Sequence, residues 1–341
     1  MLSRPLLALA CAASAFFLPT AHAQSVRGNG EASPESREVR SWLMRIHSAA
    51  GQRNFQGTFV VSGGGSVSSA RIAHYCEGGS QFERIESMDG ETRHVFRYNE
   101  VVHTLWPQAR VALVEQRTLM SSFPGLLNGG DDGIAELYDV RPQGADRVAG
   151  HEAHVLLLQP RDALRYGYRL WADKVSGLLL RSDVLDDHGA VVETSAFSDV
   201  VIGVRSLPET VLQPMKKLDG YRVIRPNLVP TKLEAEGWAL RHNVPGFKQV
   251  SCVKRTMNGP PASEPGGAGP QVLQTIFSDG LTYVSVFIEP FNPERHVRPL
   301  VSAVGATQTT MSRLGDAWVT VVGDVPAATL RAFAGGLERK R

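Results

Sequence analysis

From Phe55 to about Phe197, apolar and polar residues alternate with a period of two in short runs, and tight turns separate the runs. Side chains two apart share one face of a strand, so this pattern demands half-buried strands. The runs are Thr58–Ser62, Arg93–Tyr98, Val101–Trp106, Arg110–Val114, Ala153–Gln159, Tyr166–Asp173, Leu178–Leu185 and Val191–Phe197. Asn99-Glu100, Asp173 to Gly177 and Asp186-Asp187-His188-Gly189 supply the turn chemistry between them. Successive strands joined this closely form an antiparallel meander, which curves into an open half-barrel.

A helix precedes the meander. Ser33 is its cap, Pro34 suits its first position, and Val39, Trp42, Leu43, Ile46 and Ala50 recur at helical spacing up to Gly51. One face of it is therefore built to cover the sheet. After the meander, Pro208, Pro214, Pro226 and Pro230 fall in a stretch without periodicity, as in a linker between domains. A second unit follows near Lys232. Gln249–Lys254, Val272–Phe277, Leu281–Ile288 and Ala317–Val322 have strand character. A last helix after Asp324 places Leu330, Phe333, Ala334 and Leu337 on one face. Eight of the thirteen residues of Asn258–Pro270 are Gly or Pro, the composition of a mobile loop. The expected fold class is α+β: an N-terminal curved antiparallel half-barrel with a covering helix, plus a smaller C-terminal α+β domain. The boundaries are residues 1–23 for an export signal, 24–32 for a disordered lead, 33–206 for the half-barrel, 207–230 for the Pro-rich linker and 231–341 for the second domain.

The export signal is read from Arg4, the apolar run Leu6–Leu18, the breaker Pro19 and the small residues of Ala21-His22-Ala23. The run is shorter than the ~20 residues a spanning helix needs, so the mature chain is expected to be exported and free of the membrane. A lipoprotein signal ending at Cys11 is the rival reading, and it leaves only about seven apolar residues before the cut. The signal holds one of the 36 basic residues. The remainder nearly balances the 34 acidic ones, which argues against a nucleic-acid partner. Cys76 and Cys252 remain of the three cysteines, either as a disulfide or as two lone thiols.

Signals for catalysis are poor. His151-Glu152-Ala153-His154 lies one residue short of helical metal spacing and in strand-forming sequence, so it reads as solvated surface histidines and no metal site. Gly63-Gly64-Gly65-Ser66 reads as a hairpin turn rather than a nucleophile elbow, and Asp131-Asp132 and Asp186-Asp187 as turn residues. No nucleophile and base cluster, and no cofactor is implied. Two features carry more. The segment Thr118–Gly129 sets Leu119, Met120, Phe123, Leu126 and Leu127 among Pro124, Gly125 and Asn128, either as a core-packing loop or as a flap over an apolar pocket. Phe59, Val61, Leu105 and Trp171 are the strand residues assigned to that pocket. From Lys216 to Arg255, nine basic residues face only three acidic ones. This is either a solvated face or a docking surface for an acidic partner or an anionic head group, with Lys216, Lys217, Arg222, Arg225, Lys232 and Arg241 as its candidates.

Several local strings, in order and spacing, resemble the MucB/RseB family of periplasmic regulators. They are Asn54 to Phe59, Met88-Asp89-Gly90, Val148 to Ala153, Pro160-Arg161-Asp162, Arg165 to Trp171, Leu185 to Gly189, Pro245-Gly246-Phe247, Ser278 to Leu281, Val284 to Phe287 and Val322 to Pro326. The resemblance implies a first domain similar to the lipoprotein carriers LolA and LolB, and a second that helps hold an anti-sigma factor of the RseA/MucA type. It implies a periplasmic negative regulator of a sigma-E-type envelope stress response. Such a regulator shields the periplasmic part of the anti-sigma factor from proteolysis until lipid or a lipopolysaccharide fragment releases it. It offers no catalytic residues. A lipid or lipoprotein carrier is the alternative, and a homo-oligomer stays open.

Overall fold

The computed structural model describes residues 34–116, 123, 134–256 and 271–340. Helix α1 (Pro34–Gln52) opens the described chain, and six strands follow: β1 (Phe55–Gly63), β2 (Ser66–Glu77), β3 (Ser80–Ser87), β4 (His94–Tyr98), β5 (Val101–Trp106) and β6 (Val111–Gln116). A helical turn α2 (Ile134–Leu137) leads into β7 (Tyr138–Val148), β8 (His151–Pro160), β9 (Gly167–Asp173), β10 (Leu179–Leu185) and β11 (Val191–Ile202). Then come α3 (Glu209–Lys216), β12 (Arg222–Ile224), β13 (Leu228–Pro230) and β14 (Trp238–Leu240). The last group is β15 (Lys248–Thr256), β16 (Gln271–Ser278), β17 (Tyr283–Pro290), β18 (Leu300–Val304), β19 (Thr307–Leu314), β20 (Ala317–Gly323), α4 (Ala327–Gly336) and β21 (Leu337–Arg339).

Among the described residues these strands form a 12-stranded sheet, a 7-stranded sheet and a small β14–β21 pair. The large sheet runs β12-β6-β5-β4-β3-β2-β1-β11-β10-β9-β8-β7. Two meanders, β1–β6 and β7–β11, are fused where β11 pairs antiparallel with β1, Phe59 opposite Phe197. The second sheet runs β13-β15-β16-β17-β20-β19-β18. The expected α+β class is met only in its coarser part: the molecule is mostly sheet, open and curved, with few helices.

α1 lies where its sequence pattern puts it. Leu43 and Ile46 are 3% and 1% exposed and join the core of the large sheet, and Trp42 packs against His154 with ring centroids 4.2 Å apart and planes tilted by 40°. Each buried Leu or Ile contributes about 1.5–3 kcal/mol of apolar transfer, so packing rather than intrinsic helicity sets this helix. The segment read as a linker is packed structure. α3 lies on the outer face of β3 and β4 with Val211 buried, β12 extends the large sheet parallel to β6, and β13 edges the second sheet against β15.

Strands β2, β3 and β7 were not expected, nor were β18 and β19. β2 buries four residues in succession, Ile72 to Tyr75. Ile72 and His74 face the α1 side, whereas Ala73 and Tyr75 join the cluster under α3. A strand covered on both faces loses its alternation. β18 is exposed along its whole length, so no buried stripe marks it.

Candidate functional site

A cleft of about 370 Å³ opens between the two sheets. One wall comes from the face of the large sheet that also carries α1. Alternation and pairing place Phe59 and Val61 of β1, Ser195 and Glu193 of β11, Ser182 and Val184 of β10, Tyr168 of β9 and Ile85 of β3 on that wall. The other wall is the second sheet, through Leu281, Ser285, Val322 and Gly323, with Ala306 and Thr307 at the start of β19. Phe123, 7% exposed, packs its ring 5.9 Å from Phe59 and 5.2 Å from Phe197 and lines the floor. At one end two hairpin turns meet: a Cβ on Gly64 would lie 2.6 Å from the amide nitrogen of Gly305. Both residues have positive φ, so glycine is required there on two counts.

The polar groups of the cleft are mainly acceptors and hydroxyls. Glu193 Oε2 accepts a 3.2 Å bond from the Ala306 amide across the sheets, and Thr307 Oγ1 donates to Asp324 Oδ1 at 2.6 Å. Burial raises the Glu193 carboxyl above its ordinary range, the nearby Asp324 adds to this, and the Ala306 bond opposes it. An apolar floor edged by carboxylates suits an alkyl chain and disfavours an anionic head group inside it.

Behind the cleft the two sheets are fixed by a buried polar seam. Arg165 donates to Asp279 at 3.3 Å, with both side chains fully buried, to Asp162 at 3.1 Å and to the Pro245 carbonyl at 2.8 Å. Tyr138 donates to the same Asp279 oxygen at 3.3 Å, and the Leu281 and Thr282 amides donate to the other. Burial raises the Asp279 carboxyl, while those amides, Arg165 and Tyr138 pull it back. Thr329 Oγ1 on α4 donates to the Leu164 carbonyl at 2.6 Å and adds a second tie.

Three of the residues assigned to an apolar pocket converge here: Phe59, Val61 and Phe123. Two do not. Leu105 pairs with His94 on β4, and the register through β3 and β2 sets it on the face opposite Phe59, in the cluster with Tyr75, Phe96 and Val211. Trp171 pairs with Arg181, which pairs with Ala196, so it too lies on the far face. There Arg181 stacks over its ring at 4.5 Å and its Nε1 donates to Asp146 at 2.9 Å. Both strands are largely buried on both faces, so an apolar side chain alone could not choose the side. Leu119, Met120, Leu126 and Leu127 lie outside the described residues, as do the export signal, Asp131-Asp132 and the loop Asn258–Pro270. Ile85, Tyr168, Val184 and the whole second-sheet wall were missed; the period-two spacing of Glu193, Ser195 and Phe197 was the available signal for the first wall.

The six basic candidates are all exposed. Lys216 and Lys217 end α3, Arg222 and Arg225 follow on and after β12, and Lys232 precedes the short 3-10 turn Glu234–Glu236. Arg241 pairs with Glu338 at 3.1 Å, on the β14–β21 side. Two other members of the basic stretch are engaged: Lys254 with Glu236 at 2.8 Å and Arg255 with Glu115 at 3.6 Å.

The histidines of the His151–His154 string lie on opposite faces of β8, as a strand dictates, and both are half-buried. His151 Nε2 sits 3.1 Å from the Val200 carbonyl, and the His154 ring packs tilted against Trp42. Among the described residues no group of three His, Cys, Asp or Glu side chains is arranged to hold a metal, and no helix is long and apolar enough to cross a membrane. Cys76 and Cys252 are free thiols.

Comparison with known proteins gives the same picture over nearly the whole described length. The family profile described as MucB/RseB N-terminal domain matches residues 38–216, and that described as MucB/RseB C-terminal domain matches residues 232–338. The chain is similar to the sigma factor AlgU regulatory protein MucB of Pseudomonas aeruginosa, 30% identical over 312 residues that cover 88% of this chain and 90% of the relative. It is also similar to the sigma-E factor regulatory protein RseB of Escherichia coli K12, 24% identical over 315 residues, 90% of this chain and 91% of that one. Among solved structures, the MucA/MucB complex of Pseudomonas aeruginosa matches with a TM-score of 0.67 at 28% identity, covering 89% of this chain and 99% of the other. MucB in complex with MucA(peri) matches with a TM-score of 0.65, also at 28% identity, covering 89% of this chain and 99% of the other.

Proposed function

The chain belongs to the MucB/RseB family, and on that premise we propose that it is a periplasmic negative regulator of a sigma-E-type envelope stress response. It binds the periplasmic part of a MucA-like anti-sigma factor, shields that segment from proteolysis, and lets go when a lipid or lipopolysaccharide fragment occupies the cleft between the sheets. It acts by binding and release. The observation that carries the reading is the match of both halves of the chain to the family, together with its likeness to a fold solved with MucA bound.

In this reading the large sheet serves as a half-barrel with α1 as its cover. Phe59, Val61 and Phe123 receive an alkyl chain. The cleft volume of about 370 Å³ falls at the lower end of small-molecule sites. Lys216, Lys217, Arg222, Arg225, Lys232 and Arg241 meet the acidic partner. A charged surface of this kind speeds encounter and makes binding salt-sensitive.

Size-exclusion chromatography of the protein mixed with the periplasmic part of a MucA-like protein tests this. Co-elution at low salt, lost on adding a lipopolysaccharide fragment, is expected. Failure to co-elute at low salt overturns the regulator reading. The cleft by itself supports a second reading, a carrier of lipid or lipoprotein acyl chains. That reading predicts co-purifying lipid in mass spectra and no protein partner.

A further inference from the structure

On the α1 side of β2, a thiol, an imidazole and a carboxylate stand in line, and the proposed function uses none of them. Cys76 Sγ lies 3.4 Å from His74 Nε2 and donates to the Gly51 carbonyl at 2.8 Å. His74 is 1% exposed and stacks on Phe55 with ring centroids 5.3 Å apart. Its Nδ1 is fully buried with no hydrogen-bond partner, 3.6 Å from Glu83 Oε2 on the neighbouring strand, where Glu83 pairs with His74. A buried ring nitrogen left without a bond is costly for a histidine that only fills space. Beside a carboxylate and a thiol, the same ring holds a proton well. Burial alone would lower its pKa, but the Cys76 thiol and the Glu83 carboxylate beside the ring outweigh burial and raise it to about 9. Glu83 and Cys76 are the charged groups that act on it.

Cys76 also holds a structural position. The Gly51 carbonyl near the end of α1 accepts from Cys76 Sγ and from Gln81 Nε2 at 3.0 Å, and the Cys76 amide donates to Asn54 Oδ1 at 2.7 Å. The cysteine therefore ties the last turn of the covering helix to the sheet. It is half-buried, beside the exposed turn Glu77-Gly78-Gly79. Cys252 is its built-in contrast: it is buried, its thiol is pushed up by burial, and among the described residues Thr275, Glu234 and Glu236 act on it rather than an imidazole.

We propose that Cys76 is a peroxide-reactive thiol, activated by His74 and Glu83, whose oxidation loosens the end of α1. His74 already stands as the imidazolium near neutral pH, so the thiol gives its proton to water and the thiolate is held beside that cation. The sulfur attacks one oxygen of a hydroperoxide, an S–O bond forms and the O–O bond breaks. The leaving oxygen takes the imidazolium proton and departs as water or an alcohol. Sulfur is oxidised to sulfenic acid and the peroxide is reduced. The oxidised sulfur no longer has the S–H that bonded Gly51, so the Gly51 carbonyl keeps only its bond from Gln81 Nε2.

Purified protein treated with hydrogen peroxide in the presence of dimedone, then mapped by mass spectrometry, provides the test. Cys76 is expected to label at least about tenfold more than Cys252, and His74→Gln is expected to remove most of that labelling. Equal labelling of the two cysteines, or full labelling in folded His74→Gln, overturns the proposal. A measurement on the unaltered protein covers the case where the variant fails to fold. Cys76 should react with hydrogen peroxide faster in the folded protein than in the same protein unfolded in urea, because only the fold sets His74 and Glu83 beside it. Slower reaction in the folded protein overturns the proposal.

Discussion

Replacing Arg165 with leucine probes the seam that holds the cleft open at a fixed width. The guanidinium is fully buried, bonds Asp279, Asp162 and the Pro245 carbonyl, and lies over the rings of Phe247 at 5.3 Å and Tyr138 at 5.9 Å. Leucine removes those contacts and leaves Asp279 buried without a countercharge. Breaking one side of such a pair costs about 3–5 kcal/mol, a large share of the roughly 5–15 kcal/mol that holds a folded protein. The Leu281 and Thr282 amides and the Tyr138 hydroxyl still bond Asp279, which places the cost toward the lower end of that range. The sign with pH follows. Burial already holds the Asp279 carboxyl above its ordinary 3.8, and without Arg165 it rises further. A carboxyl with a raised folded pKa is protonated at little cost at low pH, and its penalty grows as pH climbs through that folded pKa. Urea unfolding followed by tryptophan fluorescence should therefore show about 3 kcal/mol lost at pH 7 and clearly less at pH 4.5. Adding Asp279→Asn to Arg165→Leu should recover about 1–2 kcal/mol at pH 7, because the pair is coupled. A loss below about 1 kcal/mol at pH 7, or one that does not change with pH, would refute the view that this seam is an ion pair whose partner cannot stand alone.

Other substitutions separate the cleft, the core and the partner surface. Val61→Asp should weaken binding of a fluorescent fatty acid about tenfold or more while costing under about 1 kcal/mol, since Val61 is only half-buried. Leu105→Ala should do the reverse, costing about 2–5 kcal/mol in urea unfolding with fatty-acid affinity unchanged, because it packs on the other face of the sheet. Reversing the charges of Lys216, Lys217, Arg222 and Arg225 together should slow association with a MucA-like periplasmic segment about tenfold or more at low salt and flatten its salt dependence, read by surface plasmon resonance. Glu193→Gln removes a carboxyl held above its ordinary 4.5 mainly by burial. The wild-type group loses stability as pH rises through its folded pKa, so the variant's midpoint should gain on wild type between pH 4 and 7; a constant difference would count against that burial.

Much of the scaffold was legible because turn chemistry and alternation are local. The hairpin turn Gly63 to Ser66 joins β1 to β2, with Ser66 Oγ bonded to the Gly63 carbonyl. Asp173 and Asp186 act as the turn acids their flanking glycines suggested, accepting from amides two to four residues on. α1 and α4 carry helical apolar stripes that need no distant partner. The site was harder. Phe59, Val61 and Phe123 are apolar at the right places, but so are Leu105 and Trp171, and only the pairing across four strands divides them between faces.

The sequence by itself determined the antiparallel habit of the chain, the positions of α1 and α4, many of its turns, the basic stretch and the strings that tie it to its family. All of these rest on residues within a few positions of one another, where backbone geometry repeats. The tertiary structure decided the rest. β11 lies beside β1, which makes two meanders one sheet. Arg165 meets Asp279, 114 residues away, and Glu193 meets Ala306, 113 residues away. The second wall of the cleft comes from another sheet. Contacts at such separations carry no local periodicity; they exist only because burying two apolar faces together fixes which distant polar groups are left to bond across the seam.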